Sequence, residues 1–498
     1  MILNTMPLDL ERLPPVDPTS PVPLYHQIKL VVLEAIGRGL LRPGERLPTE
    51  HELCELLGVS RTPTTRALGE LADEGVLIRM RRRGTFVNPH WAPRADPHEL
   101  RIVVSDPTTA ERIRATPVPD VRLNVAVVEY GELHRTLTRA VGEGRAPDLA
   151  LIDEVWIADF AHAGFLVPLD ELDPDWIARE YRRDFVAAFV RDREYEGRIY
   201  AVPEEINLGG LWLRRDLLER VGGRPPESWS DLLRLARDLQ ATLPRGHDAF
   251  MAPGGYAAAE TTTYTLATVL ASNGAAVIDD GRVVLDSGAA VEALRLYRRL
   301  VEHGTMSPDV VAHDWLEAPR ALGGGRAAMT LGGSYEAEVI ADAAGIPLRA
   351  LWRRFAFLPF PEGPRGQAGP VAGGMAYTVF RQSADPAAAM RVIEHLTTTP
   401  LLAARAHGRP LIPPRRSAMA LAASESDFVA AMVQRFDRVT TRPAIPHYHM
   451  VSIQLQHMVE AVITGTLRPA AAAERTAEVI SAITGLPVVH ASTSQQAS

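Results

Sequence analysis

The chain contains 498 residues, 46% of them hydrophobic, which is enough for two or three packed domains. Its formal net charge of −8 excludes a surface that attracts nucleic acid uniformly, so any such affinity has to be local. The chain has no uncharged apolar run of 18 residues that would cross a membrane, and Met1 to Leu10 lacks the basic and apolar regions of a secretory signal. We therefore expect a cytoplasmic protein.

The region Leu47 to Val87 predicts two short helices separated by a tight turn. Thr49 lies three residues before Glu52, which is the spacing of a capping box that starts a helix. Gly58 ends that helix, and Ser60 is placed to cap the next one. Two helices joined in this way form a helix-turn-helix.

A wing is predicted from the β-rich runs 76–78 and 85–87, which flank the basic stretch 79–83. In a winged helix-turn-helix the second helix enters the major groove by its N-terminal end, and the basic wing lies against phosphates. Arg61 is the expected base-reading residue. The predicted DNA-binding residues are Thr49, His51, Ser60, Arg61, Thr62, Thr64, Thr65, Arg66, Arg81, Arg82, Arg83, Gly84 and Thr85.

This region resembles the GntR family of bacterial transcription factors. The resemblance is carried by four segments, at residues 23–28, 39–50, 59–63 and 84–87. It implies binding to double-stranded operator DNA. His51 and Thr65 stand where the family often has arginine, and Arg82 stands where it often has glycine. These departures leave the operator sequence open.

The proline-punctuated stretch 89–98 predicts a linker. Beyond it the sequence predicts a helix at 132–143 and strands at 99–105, 121–128 and 148–152. Alternating strands and helices indicate a mostly parallel sheet with a binding crevice at the carboxyl ends of its strands. The expected divisions are a DNA-binding domain at 20–88, the linker at 89–98 and an effector domain at 99–490.

Several phrases of the second region resemble the extracellular solute-binding proteins of sugar importers, the maltose-binding-like class. They keep the order of that class over roughly residues 99–430, and the main ones are the stretches 147–170, 197–229, 324–335 and 358–375. The resemblance implies two α/β lobes joined by a hinge. The expected fold is therefore multidomain: an α+β winged helix-turn-helix followed by a two-lobed α/β domain of periplasmic-binding-protein type II.

A sugar crevice needs aromatic faces for the ring and converging polar groups for its hydroxyls. By position in the resembling phrases, the candidate ligand-binding residues are Asp153, Trp156, Glu205, Asn207, Tyr264, Asn273, Ser334, Tyr335, Gly374 and Met375. Tyr335 and Met375 stand where that class often has tryptophan. Because only 6% of the residues are aromatic, a ligand smaller or more polar than an oligosaccharide is also compatible with the sequence.

Enzymatic functions find little support in the sequence. GntR-type modules also occur fused to aminotransferase-like domains, which need a lysine to hold pyridoxal phosphate. The only lysine is Lys29, within the predicted DNA-binding domain. The glycines at 323–325 lack the lysine of a phosphate-binding loop, and His447, His449 and His457 lack a metal-ligand spacing. We expect no enzyme, no cofactor and no metal.

The expected function is a transcription regulator whose lobes close on a small effector, most simply a sugar, and thereby change operator binding. A homodimer would match a two-fold symmetric operator. Two alternatives stay open: lobes that serve only dimerisation, and lobes that sense a non-sugar. A transport receptor is opposed by the DNA-binding domain. The expected partners are operator DNA, the effector and a second copy of the chain, without a membrane.

Overall fold

The structure is a computed structural model. It describes residues 16–18, 23–37, 40–42, 44–73, 76–80, 83–88, 99–191, 193–366, 369–407, 409, 411–433 and 439–490. The predicted linker lies outside the described residues. No helix in these ranges is both long enough and apolar enough to cross a lipid bilayer.

The N-terminal domain has the predicted helix-turn-helix and wing. Thr49 and Glu52 form the predicted capping box, and Gly58 ends the helix in the left-handed conformation with φ of 63°. The wing strands pair antiparallel, with Leu77 opposite Val87. The elements are α1 (Leu24–Gly37), α2 (Glu50–Leu57), α3 (Arg61–Asp73), β1 (Leu77–Met80) and β2 (Gly84–Val87).

The first lobe is built on a five-stranded sheet. Its strand β5 is buried at every position, and its first four residues are apolar, as in a strand covered on both faces. The elements up to the first chain crossing are β3 (Glu99–Val104), α4 (Pro107–Arg114), β4 (Arg122–Val127), α5 (Tyr130–Gly142), β5 (Leu149–Asp153), α6 (Ile157–His162), α7 (Leu169–Leu172), α8 (Pro174–Trp176), α9 (Arg182–Asp184), α10 (Ala187–Arg191), β6 (Glu194–Tyr195), β7 (Arg198–Ile199) and β8 (Ala201–Pro203).

The second lobe follows with its own sheet. Its helix α12 begins at a second capping box, formed by Ser228 and Asp231, and buries an apolar face against the sheet. The elements are β9 (Asn207–Arg214), α11 (Arg215–Arg220), α12 (Trp229–Gln240), β10 (Asp248–Met251), α13 (Glu260–Ala271), β11 (Ile278–Asp279), β12 (Arg282–Val283), α14 (Gly288–Glu302), α15 (Glu317–Gly324), β13 (Ala327–Gly333), α16 (Ala337–Ala343), α17 (Leu351–Arg354), β14 (Phe355–Pro359) and β15 (Ala372–Gly373).

The chain then returns to the first lobe and ends in helices. The remaining elements are β16 (Met375–Val379), α18 (Pro386–Leu396), α19 (Thr399–Ala406), α20 (Arg416–Glu425), α21 (Asp427–Val433), α22 (Tyr448–Thr464) and α23 (Pro469–Thr484). Helices α22 and α23 pack into the apolar core of the second lobe, whereas Tyr448, the first residue of α22, packs into the first.

Each sheet is parallel except for one strand that arrives from the other lobe. In the first lobe the strand order is β4-β3-β5-β16-β8, and β16 runs against both of its neighbours. In the second lobe the order is β10-β13-β9-β14, and β9 runs against both neighbours. The sequence predicts a mostly parallel sheet, whereas the structure has two mixed sheets. In each sheet the antiparallel strand, β9 or β16, is the one that the chain enters as it passes from the other lobe.

Candidate functional site

The exposed surface of α2 and α3 is organised around one carboxylate, Glu50. The Oε2 atom of Glu50 accepts a hydrogen bond from the Thr65 hydroxyl at 3.0 Å and lies 3.6 Å from Nε of Arg61. Its Oε1 atom lies 3.5 Å from Nη2 of Arg79, at the start of the wing. Glu50 therefore links α2 to side chains of α3 and of the wing, while the Arg61 side chain stays 84% exposed.

Most predicted DNA-binding residues in the described ranges are exposed. They are Thr49, His51, Ser60, Arg61, Thr62, Thr65, Arg66 and Arg83, with Gly84 and Thr85 half-buried in the wing. Arg66 is held by two neighbours, since its Nε donates to Glu70 at 3.0 Å and its guanidinium lies 3.5 Å from the centre of the Tyr25 ring. The predicted wing residues Arg81 and Arg82 lie outside the described residues.

Thr64 is a correction to the predicted DNA surface. Its side chain is fully buried, and its hydroxyl donates to the carbonyl of Ser60 at 3.1 Å. The position belongs to the inward-facing side of α3 together with Leu68 and Leu71, so the side chain points away from solvent. Thr64 packs the helix against the thiol of Cys54 and does not reach a DNA surface.

Arg46 is a candidate DNA contact that the sequence patterns missed. Its side chain is exposed, and its backbone forms an antiparallel β-bridge with Phe86 of the wing. A Cβ atom at Gly84 would lie 2.8 Å from Nε of Arg46. Glycine at position 84, with φ of 112°, leaves room for the Arg46 side chain beside the wing. The residue lies in a connection between helices, where periodicity gives no signal for the direction of a side chain.

A crevice of about 300 Å³ lies between the two lobes. It is formed where the first lobe, the second lobe and the crossing segments meet. Eight of the ten predicted ligand-binding residues line it, namely Asp153, Glu205, Asn207, Tyr264, Ser334, Tyr335, Gly374 and Met375. The structure thus brings together residues that are separated by more than two hundred positions in the sequence.

Trp156 and Asn273 lie away from the crevice lining. Trp156 is only 4% exposed and packs in the core of the first lobe beneath Tyr130, with ring centres 5.6 Å apart. Asn273 is fully buried, where its amide donates to the carbonyl of Ala289 at 2.8 Å and its Oδ1 accepts from the backbone of Arg365 at 3.0 Å. Both side chains stabilise the fold around the crevice, and the half-buried Tyr130 lines the crevice in the place expected for Trp156.

A buried arginine that the sequence reasoning missed, Arg442, links the lobes at the crevice. Its Nη2 donates to Asp153 of the first lobe at 2.9 Å, and its Nη1 donates to Glu260 of the second at 2.7 Å. The guanidinium carbon also lies 5.0 Å from the centre of the Tyr264 ring. A Cβ atom at Gly373, the last residue of β15, would lie 2.8 Å from Nη2 of Arg442, so glycine at this position leaves room for the arginine.

Two tyrosines complete this charge cluster. The Tyr130 hydroxyl donates to Asp153 at 2.5 Å, and the Tyr448 hydroxyl donates to Glu260 at 2.7 Å. Burial raises the pKa of Glu260, and Arg442 only partly offsets this effect. A ligand in the crevice would therefore meet a hydrogen-bonded network anchored in both lobes.

A second cluster surrounds Glu204 and Glu205 at the first crossing, and of its members the sequence reasoning selected only Glu205. Arg405 lies 3.0 Å from a carboxylate oxygen of each, and Arg112 and Tyr377 also contact Glu204. Burial acts to raise the pKa of Glu204, but Arg405 and Arg112 hold it below its ordinary value. Burial raises the pKa of Glu205, which lines the crevice beside Asn207.

Among the residues that line the crevice, three buried polar atoms have no hydrogen-bond partner in the part of the chain that the structure describes. They are Nε of Arg405, Nε of Arg442 and Oε2 of Glu204. All three residues line the crevice, together with the half-buried ring of Trp315, another aromatic residue that the sequence reasoning did not select. Within the same described ranges no group of three or more histidine, cysteine, aspartate or glutamate side chains is arranged to hold a metal ion.

The fold and these two sites define a DNA-binding domain of regulatory type joined to a two-lobed solute-binding domain. The family described as bacterial extracellular solute-binding protein matches residues 118–400, which is more than half of the chain. The chain therefore belongs to that family. Residues 24–87 match the bacterial regulatory proteins of the gntR family and form a GntR domain.

Relatives match one part of the chain or the other. A putative binding protein of Brucella abortus is 24% identical over 279 residues, which cover 56% of this chain and 65% of that protein. The histidine utilization repressor of Klebsiella aerogenes is 34% identical over 113 residues, covering 20% of this chain and 47% of the repressor. The chain thus spans less than two thirds of the length of either relative.

Among solved structures, a solute-binding protein of an ABC transporter from Thermotoga lettingae, bound with α-D-tagatose, shares the fold of the second region. Its TM-score is 0.69 at 22% identity, and the match covers 78% of this chain and all of that chain. The likeness confirms the expected two-lobed fold.

Proposed function

We propose that this protein is a cytoplasmic transcription regulator that binds operator DNA through α2, α3 and the wing, and senses a hydroxyl-rich small molecule in its crevice. The observation that carries the proposal is the crevice floor, where Arg405, Arg442 and Glu204 each have a buried polar atom without a partner among the described residues. Buried polar groups are costly when unpaired, and sugar hydroxyls both donate and accept hydrogen bonds.

The size and lining of the crevice favour a mono- or disaccharide. A volume of about 300 Å³ lies at the lower end of the range for small-molecule sites. Tyr264 and Tyr335, with ring centres 6.0 Å apart, offer apolar faces, and Asn207 and Glu205 offer polar groups beside them. The tagatose complex of the Thermotoga protein supports a sugar of this size.

Sensing would act on DNA binding through the relative populations of two lobe arrangements. A ligand shifts such an equilibrium only by its difference in affinity for the two states, and a coupling of about 1 to 3 kcal/mol changes operator affinity roughly five- to 150-fold. We propose that the regulator acts as a homodimer, because two-fold symmetric proteins match two half-sites on DNA.

The test of ligand binding is thermal unfolding of the full chain with a panel of mono- and disaccharides, polyols and sugar phosphates. A ligand at 100 times its Kd should add about 2.7 kcal/mol to the free energy of unfolding. Tyr335→Ala should abolish the shift, whereas Tyr256→Ala, at an exposed tyrosine outside the crevice lining, should retain it. No shift with any compound, or an equal shift in Tyr335→Ala, would refute a sugar-sensing crevice.

The test of regulation uses an operator selected from random-sequence DNA by the full chain. Its affinity is then measured with and without the sugar that raises the melting temperature. A change in affinity supports the proposal, and an unchanged affinity at a saturating sugar concentration refutes the coupling while leaving ligand binding intact.

A further inference from the structure

The DNA-binding domain packs against the first lobe through two helices, α1 of the domain and α5 of the lobe. Nδ1 of His26 lies 3.1 Å from the carbonyl oxygen of Gly142, the last residue of α5. Leu30 packs against an apolar cluster of the first lobe, and a Cβ atom at Gly144 would collide with the Leu33 side chain. The contact therefore depends on the absence of side chains at positions 142 and 144.

A cavity of about 610 Å³ adjoins this helix pair. It shares no lining residue with the crevice between the lobes. Leu30, Phe160 and Phe165 give it an apolar floor, contributed by both domains. Five histidines also line it, namely His26, His134, His162, His447 and His449.

His134, on α5, is the most informative of these histidines. Its ring stacks on His449 at 4.3 Å and meets Trp156 edge-on at 5.3 Å. Its Nε2 atom is buried and has no hydrogen-bond partner in the part of the chain that the structure describes. Burial lowers the pKa of His134 to about 3, so the ring is neutral and has an unused hydrogen-bonding nitrogen.

Two charged side chains of this cavity lining, the carboxylate of Asp159 and the guanidinium of Arg139, have no ion-pair partner among the described residues. The carboxylate of Asp159 accepts the backbone N–H of His449 at 3.1 Å, and Glu143 pairs with Arg145. Arg135 pairs with Glu132, but no carboxylate of the described ranges forms an ion pair with Arg139, which lines the same wall. An apolar floor beside an unpaired cation favours a flat molecule with an acidic group.

We propose that this cavity is a second small-molecule site, which binds a flat apolar acid such as an aromatic carboxylate. The ring would lie over Phe160 and Leu30, the acidic group would face Arg139, and His134 would hydrogen-bond to the ligand.

Such a ligand would contact both α1 and α5, so it would change the packing of the DNA-binding domain against the first lobe. Helix α5 also begins at Tyr130, whose hydroxyl donates to Asp153 in the crevice. The two sites therefore contact one and the same helix. This inference goes beyond sugar sensing and does not depend on it.

The test is a fluorescence titration of the full chain with 1-anilinonaphthalene-8-sulfonate, a flat apolar anion, without sugar or DNA. We expect one saturable site, from which benzoate displaces the probe and neutral benzyl alcohol does not. Arg139→Gln should raise the Kd at least five-fold. Arg234→Gln, at an exposed arginine of the second lobe, should leave the Kd unchanged.

A matched pair of variants separates charge from disturbed packing. Thr138 is exposed and lines the cavity, so Thr138→Glu places a carboxylate there without touching the core, and Thr138→Gln adds similar bulk without charge. We expect about a tenfold weaker affinity for the first variant and less than a twofold change for the second. Equal affinities in Thr138→Glu, Arg139→Gln and the parent chain, or binding that does not saturate, would overturn the proposal.

Discussion

Arg442 donates to Asp153 at 2.9 Å across the boundary between the two lobes. The same guanidinium lies 3.7 Å from Glu154 and also bonds Glu260, so one buried cation faces three buried carboxylates. Glu154 also pairs with the buried Arg193 at 2.7 Å, whereas Asp153 and Glu260 pair only with Arg442 among the described residues. These two carboxylates therefore depend on Arg442, since an unpaired buried charge is far more costly than an exposed one.

Replacing Arg442 by methionine should therefore destabilise the protein strongly. Removing one partner of a buried ion pair typically costs about 3 to 5 kcal/mol. Urea unfolding followed by circular dichroism measures the loss. Arg234→Met removes a cation from an exposed pair with Asp231 and should change stability by less than about 1 kcal/mol. Equal stability of the two variants would contradict the importance of the Arg442 cluster.

Arg61→Ala should weaken operator binding and relax base preference. If Arg61 reads a base, its loss costs about 1 to 3 kcal/mol on the selected operator and less on random DNA. Thr64→Val is the matched control. Because Thr64 is buried, this substitution should leave the base preference unchanged. Electrophoretic mobility shifts on both DNAs give the comparison. An equal loss on both would identify Arg61 as a phosphate contact.

Arg46→Ala should weaken binding to all duplexes alike. Its place beside the wing glycine puts a cation where phosphates are expected, without a base edge to read. The slope of log affinity against log salt should fall by about 0.9 in magnitude for one lost phosphate contact. Fluorescence anisotropy at several salt concentrations measures the slope, and an unchanged slope would remove Arg46 from the DNA surface.

Glu394→Gln should change the pH dependence of stability. Burial and the neighbouring Asp173 raise the pKa of Glu394 from 4.5 to about 7, so the folded state holds the proton more tightly than the unfolded state. This contribution to stability is complete below about pH 4.5 and is lost as the pH rises through about 7. The parent chain should therefore lose melting temperature as the pH rises, and the glutamine variant should not. The difference in melting temperature, variant minus parent chain, should increase from pH 5 to pH 8.

The control for this experiment is Glu219→Gln, at an exposed glutamate. Its difference from the parent chain should stay flat over the same pH range. A flat difference for Glu394→Gln as well would contradict the shifted titration of Glu394.

Local features of this structure follow from the sequence, and its long-range contacts do not. The capping box of Thr49 and Glu52 and the buried strand β5 depend on neighbouring residues, so short patterns predict them. Arg442 and Glu260 are 182 positions apart, and nothing near either one signals their contact. Trp156 lies in a phrase shared with the solute-binding class and Asn273 lies between two such phrases, but the direction of their side chains is set by packing against Tyr130 and by the Ala289 backbone.

The place of β16 has a consequence for synthesis on the ribosome. This strand is the fourth of five in the first sheet and lies between β5 and β8, yet its last residue is Val379. A nascent chain exposes its N-terminal residues first, so the GntR domain is available to fold early. The first lobe then has an open gap in its sheet until about three quarters of these 498 residues have been translated. Unpaired edges of β5 and β8 are the part of the growing chain most in need of protection from aggregation.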